Sequence, residues 1–337
     1  MNEFETLELL TGDEGIAQAV KLLKQGECVA LPTETVYGLA ADATQPEAVA
    51  KIFSAKGRPS NHPLIVHIPD ETHIARWADS KPADLQKLAD AFWPGPLTVI
   101  LNTKAGLNNP VTGGKDTIAL RVPSHPLFLK VLIDLDTGLA APSANRYKQL
   151  SPTVPEQVVE QLTGRIPAVL EGGACEHGLE STILDLTSDE LRVLRAGPIS
   201  SAEIEQCLGK SVTTPMEHNE AVPGNVKAHY QPNAPVTLVK TAELTQAIQN
   251  EGNKNIAVLA YSEQVLAELN RLGLQPEFIK QIASDAAGYG KGLYYDLYCL
   301  DKLTPAKIFV ETPPVSDDWQ AVNNRLSRAA SFEFIPE

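Results

Sequence analysis

Cysteine is scarce in this 337-residue chain, with four residues at 28, 175, 207 and 299 and no Cys-x-x-Cys pair among them. That spacing offers neither a disulfide framework nor a zinc knuckle, and it fits a reducing compartment. Long apolar runs are missing too: no stretch reaches the roughly eighteen residues that a spanning helix needs. The opening MNEFETLELL lacks the basic-then-apolar order of a signal peptide, so a cytoplasmic location without membrane attachment is expected. Cations are outnumbered, 28 Lys and Arg against 42 Asp and Glu, for a net charge of −14. Such a balance argues against stable nucleic-acid binding, which depends on neutralising phosphates. Walker A, G-x-S-x-G and H-E-x-x-H motifs are also absent, and a covalent serine or cysteine mechanism has little support.

What is present is enough for two domains. Hydrophobic residues make up 43% of the chain and charged residues 21%. Apolar spacing of three and four predicts a helix over 13–25, with Gly26 closing it. Further helices are expected over 46–56, opened by Pro46 and stopped by Gly57-Arg58-Pro59, over 83–92 and over 155–163. PLIVHI, LTVIL, TIALRV and TILDL read as strands. Strands and helices mix without strict alternation, so residues 1–205 are expected to form an α+β domain on a twisted mixed sheet. Residues 206–235 are polar and aperiodic, as a linker or a lid over a site would be. From 236 to 337, strands and helices alternate, with helices near 241–250, 262–272, 292–302 and 317–330, which predicts a small Rossmann-like parallel sheet. The GYGKG run at 288–292 has neither phosphate-loop spacing and is a weak candidate for phosphate.

Five clusters in the first region carry chemistry. LPTETVYGLAADA crowds Thr33, Thr35 and Tyr37 into a turn after a strand. KIFSAKGRPSNHPLIVHI projects Lys56 and Arg58 from a helix end, with His62 and His67 following. Those cations suit phosphate or carboxylate, although a solvated helix terminus would also favour them. DTIALRVPSHP places Arg121 inside an apolar strand with Thr117 on the same face. Such an arginine is either paired with a carboxylate of the protein or kept for a ligand's anion. APSANRYKQLSPT supplies Ser143, Asn145 and Ser151 at a strand end; EGGACEHGLESTILDL and LRAGPIS add glycines, Ser181, Thr182 and Arg195. One lysine, three arginines and many hydroxyls at strand ends suit a nucleotide together with an amino acid.

Taken in order, PTETVYGL, the K-x-R of Lys56 and Arg58, PLIVH, WPGPLT, the S-x-N of Ser143 and Asn145, G-x-x-ST and LRAGP closely resemble the YrdC-type threonylcarbamoyl-AMP synthases. The PG…HY of Pro223 to Tyr230 and the terminal W-x-AV-x-NRL-x-RAA match the long form with an extra C-terminal domain. The resemblance implies an enzyme that joins L-threonine, bicarbonate and ATP, with Mg2+ on the phosphates, and passes its product to the tRNA threonylcarbamoyl-transferase machinery. It implies that Thr35, His67, Arg121 and Ser181 hold threonine, with Arg121 on the carboxylate. It likewise implies that Lys56, Arg58, Thr117, Ser143, Asn145, Ser151 and Arg195 surround ATP, with Tyr230 over the nucleotide and Lys56 and Arg58 catalytic. The chain departs from many relatives at His62, where they carry Asn, and at NVKA (225–228) in the linker. The alternative is an RNA-binding or regulatory YrdC-like paralogue without synthase activity, which the acidic balance disfavours. Hydrogenase-maturation carbamoyl transfer is disfavoured, since the acylphosphatase domain and Cys-x-x-Cys motifs of those chains are not found in this sequence.

The catalytic expectation is testable at one residue. Replacing Arg58 by alanine should lower the rate of adenylate formation on the order of 10²–10³-fold, as loss of one preorganised donor does. A near-normal rate in a pyrophosphate-release assay would remove Arg58 from the site.

Overall fold

The computed structural model describes residues 7–79, 81–105, 110–215, 230–251 and 255–333. It divides into two compact units. The first comprises Met1–Tyr147, Ser151–Glu176 and Glu180–Asn225; the second comprises Val226–Glu337 with two short pieces, Lys148–Leu150 and His177–Leu179. Most of the lid expected over 206–235 falls on 216–229, outside the described residues.

The first unit is built on one ten-stranded mixed sheet. Its strands are β1 (Glu8–Leu10), β2 (Val29–Leu31), β3 (Gly38–Asp42), β4 (Ile65–His67), β5 (Leu97–Asn102), β6 (Thr117–Arg121), β7 (Leu139–Ala140), β8 (Ala168–Leu170), β9 (Thr182–Asp185) and β10 (Arg192–Arg195). They lie in the order β1-β8-β2-β3-β7-β4-β6-β5-β9-β10. Pairing is parallel for β4 with β6 and for β5 with β9, and antiparallel for β2 with β3 and for β5 with β6.

Because side chains alternate across a strand, each strand feeds two cores. Ala30, Leu39, Val66 and Leu120 face helices α2 (Pro46–Lys56), α3 (Ala83–Phe92), α5 (Pro155–Leu162) and α6 (Ser201–Leu208). On the other side, Leu31, Ala40 and Leu139 pack with α1 (Gly12–Lys24) and α4 (Pro126–Leu135). The residues between these apolar positions on β4 and β6 include His67 and Arg121, which are register partners and so share a face.

The helix over Pro126–Leu135 is absent from the sequence reading. PLFLKVLIDL is apolar over most of its circumference, so no polar stripe reveals the 3.6-residue period. Its start is marked only by Pro126 at the first position and by the His125 ring, which accepts from Leu127 N at 3.3 Å.

The second unit is a five-stranded sheet in the order β13-β12-β14-β11-β15. These are β11 (Val236–Val239), β12 (Ile256–Ala260), β13 (Ile279–Gln281), β14 (Lys307–Glu311) and β15 (Phe332–Glu333), all paired in parallel. Helices α7 (Leu244–Asn250) and α8 (Glu263–Arg271) pack on the face that carries Val239, Val258 and Phe309. Two more helices, α9 (Ala286–Asp301) and α10 (Gln320–Ala329), complete the unit. The GYGKG run is not a loop but the opening of α9, which starts at 286 rather than near 292. Asp285 begins the helix there by accepting from Gly288 N at 2.8 Å.

The second unit fills its own anion position. In open α/β sheets that position lies beyond the strand ends, at a helix N-terminus. Here Glu311, at the end of β14 and fully buried, places its carboxylate there. It accepts from Tyr261 N at 2.9 Å and Ser262 N at 3.0 Å, ahead of α8, and from the hydroxyls of Ser262 and Thr241 at 2.6 and 2.9 Å. Four donors converge on two oxygens, so both are satisfied. Replacing Glu311 by alanine would orphan all four, and a loss of at least about 3 kcal/mol is expected in urea denaturation; a loss below about 1 kcal/mol would deny the carboxylate that role.

Candidate active site

Three polar clusters converge in the first unit. One starts from the end of α2. Gly57 adopts φ 64°, and the N–H groups of Gly57 and Arg58 return to the carbonyls of Ser54 and Phe53 at 3.1 and 3.0 Å. A left-handed residue stops the helix there at no steric cost only if it is glycine. The last helical side chain, Lys56, therefore turns inward and is buried. Its ammonium donates to the carbonyls of Ser143 and Asn145, the latter at 2.7 Å, and reaches Asn145 Oδ1 at 3.3 Å. These three acceptors match its three N–H donors. Burial, then the neighbouring Arg58 charge, hold the Lys56 amine well below its ordinary range, against the pull of Glu180. Lys56 is thus the pin of the Pro142–Asn145 turn, which is fastened again where Leu39 N meets Pro142 O at 2.7 Å and Ala144 N meets Tyr37 O at 2.8 Å. Arg58 lies half-buried and donates to Pro63 O at 3.2 Å.

The second cluster surrounds Arg121. Its guanidinium is 3% exposed and is held on three sides. Nε donates to Gly95 O at 3.1 Å, Nη1 donates to Thr35 Oγ1 at 3.0 Å, and Nη2 lies 2.6 Å from Glu34 Oε1. Of the two readings left open for this arginine, the structure shows the first: it is paired with a carboxylate of the protein, Glu34. Burial pushes the Glu34 carboxyl up, but the facing Arg121 outweighs it and holds the group below its usual range. His67 stacks on Phe128 with ring centroids 5.1 Å apart. Burial and then Arg121 push His67 down to about 3, so it is a neutral ring at physiological pH.

The third cluster joins β5, β9 and β10. Arg195 donates through Nε and Nη2 to the carbonyl and hydroxyl of Ser181, each at 2.9 Å. Ser181 Oγ also meets Thr98 Oγ1 at 2.7 Å, and Ser151 donates to Glu180 Oε1 at 2.6 Å. Gly197 allows this approach, since a Cβ there would stand 2.4 Å from Thr182 N. The second and third clusters are linked through the Trp93–Pro96 loop, whose Gly95 carbonyl receives Arg121 and whose Pro96 carbonyl receives Thr182 N at 3.0 Å.

Two family models match the chain, one described as telomere recombination over residues 21–197 and one as the threonylcarbamoyl-AMP synthase C-terminal domain over 199–331. A threonylcarbamoyl-AMP synthase of Bacillus subtilis is 37% identical, over 98% of this chain and 97% of its own length. One from Pyrococcus abyssi is 34% identical, over 94% of each. The crystal structure of P. abyssi Sua5 complexed with L-threonine superposes with a TM-score of 0.88 at 30% identity, covering 97% of this chain and all of that one. The chain belongs to the threonylcarbamoyl-AMP synthase family, in its long form.

Of the residues assigned through the family resemblance, the first unit gathers Lys56, Ser143 and Asn145 in one cluster, Thr35, His67 and Arg121 in another, and Ser181 and Arg195 in the third. Thr117 stands apart from Arg121 at the opposite end of β6, about 13 Å along the strand. Tyr230 is described in the second unit, buried and stacked on Tyr294 at 5.4 Å with the Arg325 guanidinium 5.7 Å from its ring. Glu34, Thr98 and Glu180 were missed. Glu34 left a signal, an acid between two threonines in an otherwise apolar run, but nothing in the spacing pairs it with residue 121.

The buried rings give a pH dependence. In the unfolded chain a histidine titrates near 6.5, whereas folded His67 takes its proton only near 3. Between those values the unfolded state binds the extra proton, so stability should fall as pH falls, by up to about 1.4 kcal/mol per unit for one ring. His125 and His62, also lowered by burial, add in the same direction. Urea denaturation between pH 7 and pH 5 should show this slope, and His67→Leu should flatten it; an unaltered slope in that variant would mean the ring is not kept neutral.

Proposed function

We propose that the protein synthesises L-threonylcarbamoyl-AMP from L-threonine, bicarbonate and ATP, releasing pyrophosphate, as the first step of threonylcarbamoyladenosine formation in tRNA. The observation that carries this reading is the Arg121 cluster: a buried, three-point-held guanidinium beside a threonine hydroxyl, a neutral imidazole and the Ser181 hydroxyl web. Such a guanidinium suits a small carboxylate, and the P. abyssi relative that superposes over 97% of this chain is one complexed with L-threonine. Lys56, by fixing the Ser143–Asn145 turn, and Arg58 and Arg195 would serve the nucleotide.

The chemistry asks for no protein nucleophile. Bicarbonate gives CO2 with loss of water, the deprotonated threonine amine adds to that CO2 and releases a proton to solvent as the carbamate forms, and a carbamate oxygen then attacks the α-phosphorus while pyrophosphate leaves. The buried Cys175 thiol, pushed up to about 12 by burial first, is unsuited to attack in any case. Arg121 would orient the carboxylate bidentately, and the hydroxyls of Thr35 and Ser181 would fix the rest of the amino acid. Rate would come from holding two substrates in reach and neutralising phosphate charge. Among the described residues no group of three or more His, Cys, Asp or Glu is arranged to hold a metal ion. Mg2+ would enter with the nucleotide substrate, where it screens the phosphates. The adenylate would then pass to the transferase that acts on tRNA.

The test is incubation of the purified protein with MgATP, L-threonine and bicarbonate, with mass spectrometry for the adenylate and a coupled assay for pyrophosphate. Product that depends on both threonine and bicarbonate is the expected outcome. Tight ATP binding without product would instead indicate a regulatory paralogue.

A further inference from the structure

The hydrogen bonds around Arg121 determine which polar atoms a ligand finds there. Thr33 Oγ1 lies 2.6 Å from the Val36 carbonyl, which can only accept, so the Thr33 hydroxyl proton points there. Thr33 Oγ1 in turn accepts from the N–H groups of Thr35 and Val36 at 3.0 and 3.1 Å and lies 2.8 Å from the Thr35 hydroxyl. Thr35 Oγ1 accepts from Arg121 and keeps a lone pair for a ligand. Glu34 completes the set. Its carboxylate is 3% exposed and sits 2.6 Å from Arg121 Nη2, yet neither oxygen makes a well-aligned hydrogen bond. The backbone N–H groups of Glu34 and Ser124 face it more loosely. The pair is held by charge, with hydrogen-bonding capacity in hand on both partners.

Charge counting then constrains which ligand such a pair would accept. Arg121 and Glu34 sum to zero, and a buried site is stable only when its charges balance. A zwitterion, with one carboxylate for the guanidinium and one ammonium for the glutamate, leaves the sum at zero. A simple carboxylate without an amine leaves one buried negative charge.

Resting on the threonine reading above, we propose that Glu34 is a specificity-determining residue: with Arg121 it forms a buried ion pair matched to an amino-acid zwitterion and rejects hydroxy acids that lack the amine. Neutralising Glu34 leaves a lone guanidinium, which favours an anion over a zwitterion. The other titratable groups facing Glu34 are His67 of β4, His125 ahead of α4, and Cys175.

Calorimetric titration tests this with L-threonine and with 3-hydroxybutanoate, which is threonine without its amino group. The wild type should prefer threonine, and Glu34→Gln should cut the ratio of the two affinities by at least about tenfold, as expected when one partner of a close charge pair is removed. Glu34→Asp, which keeps the charge, should keep the ratio, and ATP affinity should be unmoved in both. An unchanged ratio in a folded Glu34→Gln protein overturns the role of Glu34 while leaving the synthase reading intact. A wild type that binds no threonine removes both. Should Glu34→Gln not fold, the wild type still decides. Titration at pH 6 in two buffers of different ionisation heat should show about one proton taken up with 3-hydroxybutanoate, on Glu34 or His67, and none with threonine. Equal proton counts for the two ligands would overturn the proposal.

Discussion

Placing a guanidinium in the interior of a sheet obliges the rest of the chain to answer it. Desolvating Arg121 without partners would cost several kcal/mol, and the first unit answers from two separate stretches of sequence. Gly95 supplies a carbonyl, Thr35 a hydroxyl and Glu34 a charge. Both stretches must be in place. The turn after β2 must present two neighbouring residues, and the Trp93–Pro96 loop must aim a carbonyl at β6. The order of the sheet, with β6 between β4 and β5, also brings His67 beside Arg121 and Thr98 beside Ser181. The polar layer and the strand order are therefore one constraint.

Lys56 and Arg121 show how two buried cations of similar appearance come to differ. Lys56 ends on three oxygens of one turn, so its donors are used in shaping the Pro142–Asn145 segment. Arg121 has a partner in each direction but meets Glu34 as charge on charge. Its planar fork retains capacity that a compact ammonium would not.

Motif reading located the secondary-structure elements well where the signal is local. Pro46 and Gly57 bound α2 as expected, because a fixed φ and a left-handed stop are properties of single residues. The strands at 97–102, 117–121 and 182–185 followed from short β-branched runs. The helix at Pro126–Leu135 escaped because it lacks a polar face, and GYGKG was read as preceding a helix that in fact begins with it. Glu34 escaped for a different reason: its partner lies 87 positions away in the chain, and no spacing rule connects them.

The sequence by itself determined the mixed α+β character of the first region, the Rossmann-like alternation of the second, the family, and the set of cations and hydroxyls from which a site could be made. Each of these rests on local periodicity, on turn chemistry or on motifs in a fixed order. Only the tertiary structure decided what those residues do to one another. It gave Lys56 to a turn, Arg195 to Ser181 and Arg121 to Glu34, and it set Thr117 at the far end of its strand. Those outcomes depend on strand order and register, which bring distant residues within 3 Å and bury them together, and buried charge takes its meaning from the neighbours that replace water.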